Sequence, residues 1–172
     1  MSGFFFMLFI IGLLGIALGS LAAVKVWYAL PIFLSIIAGV CFGSFWFGVI
    51  IGAAFFSWFP VLLLKIILII MLLVLVIIFF KQFHPSYGYF PFQGFVHWGI
   101  LCLFFFILGI EFAALGLSAW LLLFYFPFFL FTLFIGIFLI FKLKVIFRFS
   151  GVVIYFPLVL FVFLAIFKLL LL

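Results

Sequence analysis

From Phe95 to Phe141 the sequence runs for 47 residues with one charged side chain, Glu111. At ~1.5 Å of rise per helical residue, a run of that length spans more than twice a bilayer core of ~30 Å. The rest of the chain is of the same kind. Of its 172 residues 76% are apolar, 5% are charged and 35 are Phe, far too little polar surface for a soluble globular domain. Disorder is excluded too, because it needs low hydrophobicity and high charge. What remains is an all-α, polytopic integral membrane protein, with residues 1–172 forming a single transmembrane domain.

A span needs about 20 apolar residues, and six stretches qualify. The first runs from Phe4 to Val24 and ends at a basic, aromatic interface anchor, Lys25-Val26-Trp27-Tyr28. Met1, Ser2 and Gly3 supply no positively charged leader, so this stretch reads as a first span and not a removable signal. The second opens with Pro31, tolerated in a first helical turn, and reaches Phe56. The third covers Val61 to Phe80, followed by the one long loop, Lys81 to Gly94, with Pro85, Gly88, Pro91 and Gly94. Pro127 is the natural divider of the long apolar run, giving a fourth span over Val96–Phe124 and a fifth over Pro127–Phe141. The sixth runs from Gly151 to Leu172.

Seven bases against one acid give a formal charge of +6. The bases are few and lie between apolar runs, so they mark topology and not a nucleic-acid surface. With six spans, Lys25, Lys81, Lys142, Lys144 and Arg148 fall on one side, and only Lys65 and Lys168 on the other. By the positive-inside rule the first side is inner, and both termini lie on the outer side.

Small residues recur where helices can approach closely. Gly12, Gly15 and Gly19 lie in the first span; Gly39, Gly43, Gly48 and Gly52 lie in the second at spacings dominated by four. The third, fifth and sixth spans are Leu, Ile and Phe nearly all round, and face lipid or an equally apolar partner.

Glu111 carries the functional argument. An acid inside the hydrocarbon costs at least ~2.5–3.5 kcal/mol if charged, so it is protonated, paired or turned to a hydrated cavity. If Trp98 and Trp120 mark the two interfaces, Glu111 lies 13 residues from one and nine from the other, deep in the membrane. Two readings stay open: a proton-relay carboxyl, or an acid that is merely buried. Lys65 is the second intramembrane charge; it either snorkels to the nearby surface or pairs with Glu111. Lys168 is expected to snorkel as well.

Other chemistry is sparse. His84 and His97 do not recur on a second helix as haem ligands would, and Cys41 and Cys102 have no metal-ligand or redox spacing, so no metal site is expected. There is no Asp or Asn, and the extreme Phe share matches a thymine-rich coding strand, which points to an organellar gene.

The segment Leu108-Gly109-Ile110-Glu111-Phe112-Ala113-Ala114-Leu115 resembles the Leu-(Gly/Ser)-Leu-Glu helix of NADH dehydrogenase subunit 4L, a membrane chain of respiratory complex I. The whole chain is similar to subunit 6 of that complex, with a Pro opening a glycine-bearing second span and a long loop after the third. That family's Tyr-x-Gly-Ala signature has no counterpart in Lys65–Ile70, and the sixth span is extra. The resemblance implies a mitochondrially encoded, non-redox subunit of proton-pumping NADH:ubiquinone oxidoreductase in the mitochondrial inner membrane. It implies a place for Glu111 on the proton-transfer axis, other membrane subunits as partners, no cofactor of the chain's own, no catalytic site of its own, and bound phospholipid. The alternatives are a structural membrane subunit of another organellar respiratory or ATP synthase complex, and a small proton-coupled transporter using Glu111. A bacterial inner membrane is the alternative location.

Overall fold

The computed structural model describes residues 2–24, 30–55, 60–84, 88–89, 96–147, 151–170 and 172. Six helices long and apolar enough to cross a membrane dominate them. They are α1 (Ser2–Ala23), α2 (Leu30–Phe55), α3 (Val61–Gln82), α4 (Val96–Ala114), α5 (Leu122–Ile146) and α6 (Phe156–Leu170). Short 3-10 turns at Ala119–Leu121 and Gly151–Tyr155 lead into α5 and α6. The all-α, six-span reading therefore holds. The anchor expected at 25–28, the connection at 57–59, most of the loop after Lys81, and Arg148 lie outside the described residues.

The boundary between α4 and α5 is not at Pro127. Helix α4 closes at Ala114, where Gly116 takes a left-handed conformation with φ of 68°. Its N–H donates to the Ala113 carbonyl at 2.9 Å, and the Leu117 N–H reaches the Phe112 carbonyl at 3.5 Å. That pair of bonds is the glycine-dependent helix stop, which satisfies carbonyls that a helix end leaves open. Pro127 sits inside α5. A membrane helix tolerates it because neighbouring helices re-satisfy the freed backbone.

Helices α1 and α5 lie side by side and run in the same direction. At one end the Tyr125 hydroxyl donates to the Phe4 carbonyl at 3.1 Å. At the other, Lys144 Nζ donates to the carbonyls of Ala23 and Val24 at 3.1 and 2.8 Å, covering the C-terminus of α1. Helices α2 and α4 form a second parallel pair, in contact from Phe33 and Trp98 to Gly52 and Ile110. Helix α3 packs on α4 and α6, and α6 also packs on α1. Helix α1 is the centre of the bundle, with 61% of its span buried against 28% for α3, which is mostly lipid-facing.

Exchanging α1, α2 and α3 for α4, α5 and α6 leaves this set of pairings unchanged. The packing of α1 on α5 becomes that of α4 on α2, α1 on α6 becomes α4 on α3, and α3 on α6 maps onto itself. The match extends to residues. A Cβ added at Gly15 would crowd the Phe129 carbonyl at 3.1 Å, and one at Gly109 would run into the Phe45 carbonyl. One added at Gly52 would strike the backbone of Ile110, and one at Gly136 the backbone of Ile16. Equivalent residues are 94 apart in α1 and α4 and 84 apart in α2 and α5. The tripeptide Leu14-Gly15-Ile16 recurs as Leu108-Gly109-Ile110 on that register. Phe42 and Phe126 are also 84 apart, and their rings meet at 4.8 Å, where the pseudo-two-fold axis passes. Because α4 runs opposite to α1, the halves are inverted, and the axis lies across the bundle in the plane of the membrane.

The glycines expected to pack closely divide into two groups. At Gly15, Gly19, Gly48 and Gly52 a methyl group would collide with a neighbouring helix, and at Gly12 it would press on the Phe128 ring at 3.2 Å. At Gly39 and Gly43 nothing lies within 4 Å, so close packing there is not found. The Phe42 and Phe126 rings stand between α2 and α5, leaving a groove of about 610 Å³ with Gly39 and Gly43 in its wall.

Candidate functional site

Glu111 lies one residue before the Phe112 carbonyl that closes α4, so it sits in the last turn of that helix. Trp120 belongs to the next element, so the distance from Trp98 to Trp120 is not measured along one helix and does not set the depth of Glu111. Helix carbonyls make a C-terminus the negative end of the macrodipole, the unfavourable end for an acid. A cation is needed, and Lys168 in the last turn of α6 provides it.

Lys168 Nζ donates to Glu111 Oε2 at 2.5 Å, and both side chains are completely buried. Lys168 therefore does not snorkel. Its chain turns inward, since a carboxylate inside the bundle competes with water at the rim. The second carboxylate oxygen, Oε1, is buried with no hydrogen-bond partner among the described residues. Phe6 of α1 covers the pair from the side, with Lys168 Nζ 5.8 Å from its ring centroid, a distance at which a cation is attracted to the ring face. Phe6 also stacks on Phe167, the neighbour of Lys168, at 6.1 Å.

Lys65, in the first turn of α3, comes to the same end. It is half-buried, its Nζ lies 5.9 Å from the Phe6 ring centroid, and its charge acts on that of Lys168. The sequence thus points to the acid, but it offers only Lys65 as a possible partner beside snorkelling and expects Lys168 at the surface, whereas Lys168 is the lysine that pairs. The available signal was that Lys65 and Lys168 both fall near the outer ends of their spans on the six-span count; Glu111 joins them only because α4 stops at Ala114. At the opposite end, Lys81 is exposed in the last turn of α3, and Lys142 and Lys144 lie late in α5.

The site is asymmetric within the repeat. The position equivalent to Glu111 on the 94-residue register is Ala17, itself buried. Among the described residues, one end of a nearly two-fold bundle holds a buried ion pair and the other does not. Behind the pair, Phe112 turns edge-on to the rings of Phe45 and Tyr125, each 5.6 Å away, linking the charged end to the aromatic contacts near the axis.

His97 is buried beside Trp98 in α4. His84 pairs its backbone with Gly88. Cys41 and Cys102 are both free thiols. Among the described residues no group of three His, Cys, Asp or Glu side chains is placed to hold a metal. Beyond the spans, the buried Tyr89 hydroxyl donates to the Ile154 carbonyl at 2.8 Å. Burial pushes its phenol up, and the neighbouring Tyr155 adds to the effect.

Fold and site together define an inverted-repeat, six-helix membrane protein with a buried carboxylate–lysine pair at one end. Compared with protein-family models, curated proteins and solved structures, the chain matches none of them.

Proposed function

We propose that the chain is a non-redox, proton-responsive subunit of an energy-coupling membrane complex, with the membrane arm of respiratory complex I as the assembly its sequence resembles. The observation that carries the reading is the Glu111–Lys168 pair, whose members are the one carboxylate and the one ammonium group fully buried among the described residues. Removing two charges from water costs several kcal/mol per ion, and apolar residues of similar volume often replace such pairs without loss. Ionisable groups kept inside membrane proteins mark proton relays and ion pathways. One acid cannot form a path by itself, so neighbouring membrane subunits complete it in this reading. The mitochondrial inner membrane, bound phospholipid and the absence of a cofactor of its own go with the complex I assignment, and a bacterial inner membrane serves the same mechanism.

The test has two parts. Purified in mild detergent, the chain is expected to bring other membrane subunits with it, identified by mass spectrometry; migration alone would overturn the subunit reading. In the assembled complex Glu111→Gln, which keeps shape and removes the charge, is expected to lower proton pumping. Unaltered pumping would leave Glu111 a buried structural acid.

A second reading is favoured by the inverted repeat. Many transporters are built from such repeats, with the substrate site at the interface between the halves. Here that interface holds the groove lined by Gly39, Phe42, Gly43, Trp46, Trp120 and Phe126. A small proton-coupled exporter of apolar compounds would use the groove for substrate and Glu111 for the proton. A chain that purifies alone, yet moves protons when given an apolar substrate in vesicles, would select it.

A further inference from the structure

We propose that Cys41 and Cys102 form a membrane-embedded dithiol that lipid peroxyl radicals oxidise to a disulfide, fastening the first half of the repeat to the second. No spacing in the sequence links these cysteines, which stand 61 residues apart. The packing of α2 on α4 does. A Cβ added at Gly48 would lie 3.1 Å from the Gly109 Cα, and one at Gly52 would lie 2.9 Å from the Ala113 Cβ. Both contacts fall on the same 61-residue register as the cysteines.

Cys41 precedes Gly48 by seven residues, and Cys102 precedes Gly109 by seven. Seven residues make about two helical turns, so each cysteine lies on the stripe of its helix that carries the close contact. The helices stay together beyond the cysteines, because the Phe33 and Trp98 rings meet at 5.9 Å nearer the two N-termini. Contacts thus bracket the pair above and below, and the two thiols are near enough for the charge of one to act on the other. A disulfide needs Cα atoms ~4.4–6.8 Å apart with facing side chains. Glycine is what lets parallel membrane helices approach that closely.

The surroundings select the chemistry. Cys41 is sealed and Cys102 half-buried, among the buried apolar side chains of Ile37, Phe45, Leu101 and Phe105. Among the described residues no further His, Cys, Asp or Glu joins them in a group able to hold a metal, whereas a disulfide is neutral and needs no other ligand. Ionic oxidation of a thiol proceeds through the thiolate, and a charge inside the hydrocarbon is costly. Hydrogen-atom transfer needs no charge, and the peroxyl radicals of oxidising lipid take hydrogen atoms from thiols. Cys102, the half-buried thiol, gives its hydrogen atom to one peroxyl radical. Its thiyl radical bonds to the Cys41 sulfur, and a second peroxyl radical takes the Cys41 hydrogen. Two thiols and two peroxyl radicals become one disulfide and two lipid hydroperoxides. Each sulfur loses one electron and each radical gains one.

The test places the full chain in polyunsaturated phosphatidylcholine vesicles with a lipid-soluble azo initiator as the source of peroxyl radicals. Samples are unfolded at intervals, free thiols are alkylated, and the intact mass is measured with and without prior reduction. Native monomer is expected to lose both alkylation sites together and to regain both on reduction. Leu103→Cys with Cys102→Ala moves the thiol to an exposed position off the stripe and is expected to close at least about tenfold more slowly. Val40→Cys with Cys41→Ala makes the same shift on α2 and covers the case that the first variant folds poorly. A native chain that keeps both thiols, or that yields only linked dimers, would overturn the proposal. So would closure of both shifted variants at the native rate. Closure by aqueous hydrogen peroxide as fast as by the radicals would overturn the hydrogen-atom route.

Discussion

Lys168 Nζ and Glu111 Oε2 meet at 2.5 Å at the ends of two helices that finish on the same side of the bundle. The lysine sits at the helix end where a cation is favoured and the acid at the end where it is not. The acid therefore depends on the lysine more than the lysine depends on the acid. Their closure ties α4 to α6 within the second half of the repeat. Because Ala17 occupies the equivalent position of the first half, that tie has no mirror image at the other end.

Breaking the pair on one side should cost far more than removing it altogether. Lys168→Met leaves a buried, unpaired carboxylate and is expected to destabilise the bundle by ~3–5 kcal/mol, whereas Lys168→Met with Glu111→Leu recovers most of that loss. Thermal unfolding of the native chain, Lys168→Met, Glu111→Leu and the double variant in one detergent gives the coupling directly. A double variant as unstable as the single would mean that the pair holds the fold by its own strength.

The glycines should separate by position rather than by spacing. Gly48→Ala drives a methyl group into the Phe106 carbonyl and is expected to cost ~1–3 kcal/mol through forced backbone movement. Gly43→Ala meets nothing within 4 Å. It is expected to be neutral or to stabilise by ~0.4–1 kcal/mol, because alanine narrows the unfolded ensemble. Melting temperatures of the two variants decide it.

Tyr89 sets an alkaline limit. Its phenol is raised by burial, so the folded chain holds the proton after an unfolded chain, with an ordinary tyrosine value of ~10, has lost it. The contribution to stability is complete below pH ~10 and is lost as pH rises above it. Tyr89→Phe also loses the bond to the Ile154 carbonyl, worth ~0.5–1.5 kcal/mol. The stability gap between native and Tyr89→Phe protein should be constant at neutral pH and shrink above pH ~10. Unfolding at a series of pH values, with phenolate absorbance followed in parallel, checks both halves.

What the sequence revealed and what it hid follow one rule. Bilayer thickness turns length into a span count, so six helices could be read without knowing any contact. Pro127 reads as a break because proline removes a helix donor, yet Gly116, with its positive φ, ends α4. Glu111 stood out because it is the only acid. Its partner did not, since Lys168 lies 57 residues away and only the packing of α6 brings it in. The repeat was hidden for a different reason. Leu, Ile, Val and Phe substitute freely on lipid-facing and core positions alike, so beyond the Leu-Gly-Ile tripeptide the identities on the shared register are scattered single residues, such as Phe42 with Phe126 and Gly52 with Gly136.

That inverted repeat has a consequence for orientation. A bundle with a two-fold axis in the membrane plane presents nearly the same apolar profile either way up, so packing gives it little preferred direction. Direction must come from the lysines, and Lys81 and Lys142 stand exposed at the end opposite Glu111. Replacing Lys25, Lys81 and Lys142 together by Gln, and leaving Lys144 to cap α1, is expected to yield a mixture of both orientations with the fold intact. Ser118→Cys, exposed in the turn between α4 and α5, reports the outcome once Cys41 and Cys102 have been changed to Ala. With native lysines it should react completely with an impermeant thiol reagent from the outer face. Without them, a substantial share should react only after the membrane is opened. Uniform outward labelling in the lysine variant would show that the asymmetric charged end, and not the lysine balance, fixes the direction of insertion.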